Sequence, residues 1–424
     1  AKQIEKDLYA AERNGLWIPN QRIPDCNMQR ESALFKKRIF LFRQFFTSRH
    51  LLALAYLRNI IIKVDNPIRE WLLFAFSSTL RYTNRMVTRN PSWRGNRPME
   101  WAKPGFWMPP VHLEANVLEE FVRRCDAVRK GKKDYLSKFS KIPECMRSAQ
   151  DVVERTTPAF HVSTHSSTSI PLPNESVDAI ITDPPYGSYI HYSDLSNFWS
   201  VWLPEIAGLG GIIDNLQEAV IARKNFPNAK NAGDYRRILE RCFSECFRVL
   251  KTGRYMVLTF HNREPRAWAA LLAAVIMAGF ELPDNGVLFQ DGIASYRHTA
   301  QSRRAGSVIG DFIFSFMKTS GVSKQSTVSR TRHNWATEAE FVEIVKKILT
   351  EKGPLTPDAL MKNLYAALIP VLVRRVQIAV ANGESAIERL VDNFESVELF
   401  NSHQRQLLEQ YFVYENGRWQ VGGG

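Results

Sequence analysis

The 424-residue chain is short of several things that would place it in a familiar class. It has five cysteines, Cys26, Cys125, Cys145, Cys242 and Cys246. Only Cys242 and Cys246 are close, one helical turn apart. A structural zinc site needs a second such pair, so these read as buried thiols of a reducing cytoplasm, with no metal. No run of about 18 uninterrupted apolar residues is present, which leaves no predicted membrane span. The charged opening Ala1-Lys2-Gln3-Ile4-Glu5-Lys6 is not a secretory signal. No internal repeat is visible. Acidic residues are in deficit: 43 Asp and Glu face 56 Lys and Arg, a net charge of +13 that favours a polyanionic partner.

With 45% hydrophobic residues the chain can build sizeable cores, enough for two or three domains. Residues 1–155 read as a helical region. An apolar pattern at three- and four-residue steps runs from Met28 to Ile62 and breaks at Thr47-Ser48. Further helices are expected over Trp71–Tyr82 and Leu113–Val128. Residues 156–318 alternate. Strands are expected at Val177–Thr182, Tyr255–Phe260, Gly286–Phe289 and Gly310–Met317. Helices are expected at Asp234–Leu250, with Lys251-Thr252-Gly253 as its C-cap, and at Glu264–Ala278. That alternation predicts an α/β fold with a parallel, doubly wound sheet finished by an antiparallel pair. A polar linker, 319–334, separates this core from residues 335–424. There, helices at Glu338–Thr350 and Pro357–Arg375 and a hairpin about Asn416-Gly417 suggest a small winged-helix-like module.

The chemistry is carried by Thr182-Asp183-Pro184-Pro185-Tyr186-Gly187, directly after an apolar strand. The exocyclic amino nitrogen of a base is a poor nucleophile because its lone pair is delocalised into the ring. The Asp183 carboxylate accepts one amino hydrogen. The Pro184 carbonyl accepts the other, held in place by the stiff Pro184-Pro185 turn. Tyr186 offers a stacking face for a base taken out of a helix. Open parallel sheets bind ligands at such strand ends.

This run resembles motif IV of the S-adenosylmethionine-dependent amino-methyltransferases. The similarity continues through Tyr192-Ser193-Asp194-Leu195-Ser196-Asn197-Phe198, through Cys246–Gly253 and through Val257–Asn262. In the N-terminal region it takes in Leu72–Asn84, Trp107-Met108-Pro109-Pro110 and Glu114-Ala115-Asn116-Val117. Over roughly residues 20–318 the chain resembles prokaryotic putative adenine-specific DNA methylases. The resemblance implies a partial Rossmann-like sheet of the class I methyltransferase kind, and S-adenosyl-L-methionine as cofactor, with Thr182 and Asp183 beside it. It implies Asp183, Pro184, Pro185 and Tyr186 as catalytic residues. It places Gly187, Tyr189 and Tyr192 at the substrate, which is DNA with a flipped-out base, adenine in preference to cytosine.

The family's glycine-rich cofactor turn has no counterpart. Gly208-Leu209-Gly210-Gly211 follows motif IV and reads as a surface loop. No carboxylate upstream fits the ribose-gripping position. The expectation is therefore a C-terminal portion of a longer protein or one half of a split enzyme, with the missing N-terminal half or second subunit carrying the cofactor loop. Residues 1–155 then act as an insertion that recognises the target.

Two loops suggest DNA contacts: Trp93 and Arg94, with Arg89 and Arg97, and Arg303 and Arg304, with Tyr296-Arg297-His298. Arg129–Lys133 reads as a solvated charge run. Two other functions remain open: an RNA guanine amino-methyltransferase, which uses the same Asp-Pro-Pro-Tyr-Gly run, and a non-catalytic DNA-binding or specificity subunit that keeps the fold.

Overall fold

The computed structural model describes residues 2–88, 101, 105–139, 143–204, 212–213, 215–262, 264–283, 286–291, 310–320, 338–392 and 402–422. It is a mixed α/β protein in two compact units. The first comprises residues 1–144, 191–218 and 222–229, and the second comprises 145–190, 219–221 and 230–424. These units cross the boundaries expected at 155/156 and 334/335.

The first unit begins with helices α1 (Lys2–Arg13), α2 (Asn27–Glu31), α3 (Ser48–Ile61), α4 (Ile68–Leu80) and α5 (Val117–Lys138). The expected break at Thr47-Ser48 is real, and its cause is local: the Thr47 hydroxyl accepts the His50 amide at 3.1 Å as an N-cap. Upstream of it the expected helix does not form. Only α2 and one 3-10 turn at Phe42–Phe45 occur there. The Gln44 side chain satisfies that backbone instead, accepting from the amides of Phe40 (2.7 Å) and Leu41 (2.9 Å) and donating to the Arg38 carbonyl (3.0 Å). Side-chain bonds of this kind compete with the helical ladder.

The chain continues through β1 (Glu144–Cys145), α6 (Ala149–Val153), β2 (Ala159–Phe160) and β3 (Val177–Thr182) to α7 (Tyr192–Ser200), which returns to the first unit. Phe198 on α7 stacks on Phe46 at 5.3 Å, and Trp202 meets Phe46 and Phe76 edge-on at 5.3 and 5.9 Å. Polar bonds fix the same segment. Asp194 accepts the Met28 amide at 3.1 Å, and Asn27 accepts the amides of Arg223 (2.9 Å) and Lys224 (3.0 Å).

In the second unit follow α8 (Ala232–Val249), β4 (Leu250–Phe260), α9 (Pro265–Met277), β5 (Val287–Asp291) and β6 (Gly310–Met317). Next come α10 (Glu338–Lys352), α11 (Pro357–Ala381), α12 (Glu384–Asp392), α13 (Ser402–Tyr411) and the hairpin β7 (Phe412–Glu415) and β8 (Arg418–Val421). The main sheet has the order β3-β4-β6-β5. β3 and β4 are parallel, while β6 is antiparallel to both β4 and β5. The antiparallel finish is as expected, but β6 lies between β4 and β5, so one parallel pair remains among the described residues. Lys251-Thr252-Gly253 is strand rather than helix cap. Leu250 is already extended, and Gly253, at φ +77°, shapes an irregular stretch whose amide donates to the Lys318 carbonyl at 2.7 Å.

One sheet face carries Met256, Leu258, Phe260, Phe312, Phe314 and Phe316, all buried against α8 and α9. α9 is apolar on every side because it is covered on every side: Ala267 to Val275 are fully buried between the sheet and α11. The C-terminal helices share this core rather than building a separate one, with Tyr365 stacked on Phe312 at 6.2 Å. α11 is the one described helix long and apolar enough to cross a membrane, yet Leu364, Leu368, Leu372 and Val376 line the protein core. The opposite sheet face is different. Ile181 is 83% exposed and Leu288 61% exposed, beside a half-exposed Tyr255.

Candidate functional site

β3 ends where the apolar run ends, and the chain turns sharply through Asp183-Pro184-Pro185-Tyr186. In the parallel register Thr182 faces Leu258, so the turn lies at the carboxyl ends of β3 and β4. β6 runs the other way, which brings its start, Asp311, to the same end of the sheet.

The turn is held from four sides, all within the second unit. The buried Tyr235 hydroxyl, from α8, donates to the Pro185 carbonyl at 2.6 Å. The fully buried Asn262, just past β4, donates from Nδ2 to the Tyr186 carbonyl at 3.0 Å. Asn262 is itself clamped: its Oδ1 accepts the Glu264 amide at 2.7 Å, and its carbonyl accepts Trp268 Nε1 at 2.8 Å. Ser188 donates to Glu264 at 2.7 Å, and the Ile221 amide donates to the Gly187 carbonyl at 3.1 Å. Gly187 is required by geometry. Its φ is +59°, and a Cβ there would lie 2.9 Å from Asn262 Nδ2 and 3.0 Å from Ala267 Cβ.

The bonds are selective. The Pro185 carbonyl is doubly used, by Tyr235 and by the Gly187 amide at 3.0 Å. Among the described residues none donates to the Pro184 carbonyl. The Asp183 side chain is exposed. Tyr186 is half-buried, its ring meeting Phe260 edge-on at 5.2 Å. Burial raises the Tyr186 hydroxyl far above the usual phenol range, and its contacts with Asp183 and the nearby Asp311 add to this. Thr259 also bonds this hydroxyl. The phenol stays protonated and donates to Asp183. Burial raises Tyr235 in the same way.

The structure thus brings together Thr182, Asp183, Pro184, Pro185, Tyr186 and Gly187. Tyr189 stands close by, its ring 6.4 Å from that of His261. Tyr192 is exposed at the start of α7 and belongs to the first unit. Trp93, Arg94, Arg303 and Arg304 lie outside the described residues, as do Gly208-Leu209-Gly210-Gly211. Sequence reasoning missed Tyr235, Glu264, Thr259 and Asp311. Tyr235 stands 50 residues from its partner on a helix whose apolar face alone announces it, and no local signal marks it as part of the turn. Among the described residues no group of three or more His, Cys, Asp or Glu is arranged to hold a metal ion.

In comparison with known proteins, no family model and no curated protein matches the chain.

Proposed function

We propose that this chain is the base-holding half of an S-adenosylmethionine-dependent amino-methyltransferase, acting on the exocyclic amino group of adenine, less readily cytosine, in DNA. One observation carries the reading: an exposed carboxylate, Asp183, adjoins the buried Pro184, whose peptide oxygen no described residue uses, on a turn whose Pro185, Tyr186 and Gly187 oxygens are tied down. Two fixed acceptors side by side suit an amino group with two hydrogens to place. Both draw electron density onto the nitrogen, and both are pre-oriented, so little reorganisation is left for the reaction itself. Tyr186 supplies stacking surface, worth about 1–3 kcal/mol per base against an extrusion cost of a few kcal/mol.

The cofactor supplies an electrophilic methyl group when bound. The described residues do not make a complete pocket for it: among those ahead of β3, no glycine-rich turn follows a strand and no strand ends in a carboxylate. Thr182 and Asp183 form only one wall. A missing N-terminal half or second subunit, carrying the cofactor loop, completes the enzyme in this proposal. Two features support that partner. β3 has a neighbour on one side only among the described residues, and the sheet face bearing Ile181 and Leu288 is apolar but open. Strands apolar on both faces belong to sheets covered on both faces. The strand order β3-β4-β6-β5 then reads as half of a Rossmann-like, doubly wound sheet. A cytoplasmic setting and a place in DNA modification, as in restriction-modification, complete the reading.

The lack of a cofactor turn also favours a second reading, a DNA-binding subunit without catalysis. Transfer of labelled methyl groups to duplex DNA and to RNA, with Asp183→Ala as control, separates the readings. Label in DNA that disappears with Asp183→Ala is expected. Label in RNA alone points to the guanine-methylating alternative, and transfer that survives Asp183→Ala removes the proposed role of the carboxylate.

A further inference from the structure

α5 begins packed on the first unit's core and ends in solvent. Val117, Phe121, Cys125 and Val128 pack into that unit's core. Every residue from Arg129 to Phe139 is exposed. The helical part of this stretch, Arg129–Lys138, is about 15 Å long at 1.5 Å per residue. Helices this short are marginal in water unless their apolar face is packed.

This stretch is not a plain solvated end. Apolar residues recur in it at helical spacing: Tyr135 and Leu136 follow Val128, and Phe139, the extended residue that ends the helix, lies beside Tyr135. Tyr135, Leu136 and Phe139 are 41%, 49% and 51% exposed, and the Tyr135 and Phe139 rings lie 4.6 Å apart. Beside them stand Arg129, Lys130, Lys132, Lys133 and Lys138 against the single Asp134, a local charge of +4. Lys132 extends over the ring of Trp71, 4.8 Å from its centre, so a further half-exposed aromatic adjoins the same surface.

We propose that the second half of α5 docks on duplex DNA, with its lysines on phosphates and its aromatic residues against sugars and groove edges. Charge complementarity selects the occupant: Lys130, Lys132 and Lys133, beside Arg129 paired to Asp126 and Lys138 paired to Asp134, match a duplex that carries one negative charge per about 1.7 Å of axis. A major groove about 12 Å wide admits a helix. The choice of DNA over another polyanion rests on the DNA reading above.

The test is the binding of the full chain to a mixed-sequence duplex, measured by fluorescence anisotropy across salt concentrations. Lys130→Glu with Lys133→Glu is expected to weaken binding roughly tenfold at about 0.1 M salt and to lower the log–log salt slope by about two. Tyr135→Ala with Phe139→Ala is expected to weaken binding and leave the slope unchanged. All four positions are exposed, so the melting temperature should not move. Unchanged affinity and slope in the charge-reversed variant overturn the proposal. So does an absence of duplex binding by the unaltered chain, or stronger binding to phosphatidylserine vesicles than to DNA. The anisotropy reading involves no methyl transfer, so a failed methyl-transfer assay tells against the catalytic reading alone.

Discussion

The phenol of Tyr235 donates to the carbonyl of Pro185 across 2.6 Å, and the two residues are 50 positions apart in the chain. Pro185 already accepts the Gly187 amide, so its oxygen is saturated while that of Pro184 is not. Tyr235 therefore ties down the Pro185 oxygen and leaves that of the buried Pro184 without a donor among the described residues.

Removing only that hydroxyl tests the point. Tyr235→Phe is expected to cost about 1 kcal/mol of stability, the usual net value of one hydrogen bond. Its larger effect should fall on methyl transfer, with a roughly tenfold lower kcat and little change in KM for DNA, because the turn loosens without losing surface. Urea unfolding and steady-state kinetics measure the two effects. A change confined to stability would leave Tyr235 a purely structural residue.

Gly187→Ala should act from inside the turn. The added methyl meets Asn262 Nδ2 and Ala267 Cβ at or below 3.0 Å, at a φ that side chains avoid. A loss of about 1–3 kcal/mol is expected, from left-handed strain and overpacking together. Differential scanning calorimetry reads the stability. Fluorescence of a duplex with 2-aminopurine at the target base reads whether the pocket still accepts it.

Glu245 gives a pH-dependent lock just upstream of β3. Its bond to Arg248 holds its carboxyl at about 2, and it accepts the Ile170 amide at 2.8 Å. Arg248 in turn donates to the carbonyls of Ile170 and Leu172, both at 2.8 Å. A folded-state value below the unfolded one means that the contribution is complete above the unfolded value, near 4.3, and is lost as pH falls from there toward 2. Glu245→Gln should flatten the stability profile in that window and speed amide exchange at Ile170. A variant with an acid limb as steep as the native one would show that other carboxylates dominate it.

Ile181 tests the partner proposal without touching the chemistry. At 83% exposure it adds little to the fold of this chain, so Ile181→Asp should melt at the native temperature. If the open face and edge of β3 receive a cofactor-carrying half, the same change should reduce assembly with that half by tenfold or more, read by light scattering or by recovery of methyl transfer. Assembly indifferent to a charge at 181 would move the partner elsewhere.

The legible parts of the protein are those in which cause and effect are neighbours in the chain. Thr47 caps its own helix through a side chain three residues away. Asn416 and Gly417 both take positive φ, and the hairpin was expected from that dipeptide alone. The turn at Asp183–Gly187 could be read because the strand and the residues that end it are contiguous. The misreadings share the opposite character. The apolar spacing from Met28 to Phe46 looks helical, but Gln44 folds back to bond three separate backbone groups. Lys251-Thr252-Gly253 looks like a cap, but strand pairing takes over at Leu250.

By itself the sequence determined the local backbone: where most of the helices and strands lie, and the rigid corner with its carboxylate. Those depend on side chains acting on backbone a few residues away. Only the tertiary structure decided that residues 191–218 belong with the N-terminal helices, through contacts such as Asp194 with Met28. Only it decided that the C-terminal helices complete the sheet's core, and that Tyr235 and Asn262 hold the corner. Burial and hydrogen bonding act through space, and a partner 50 or 166 residues away leaves no periodicity at the site it stabilises.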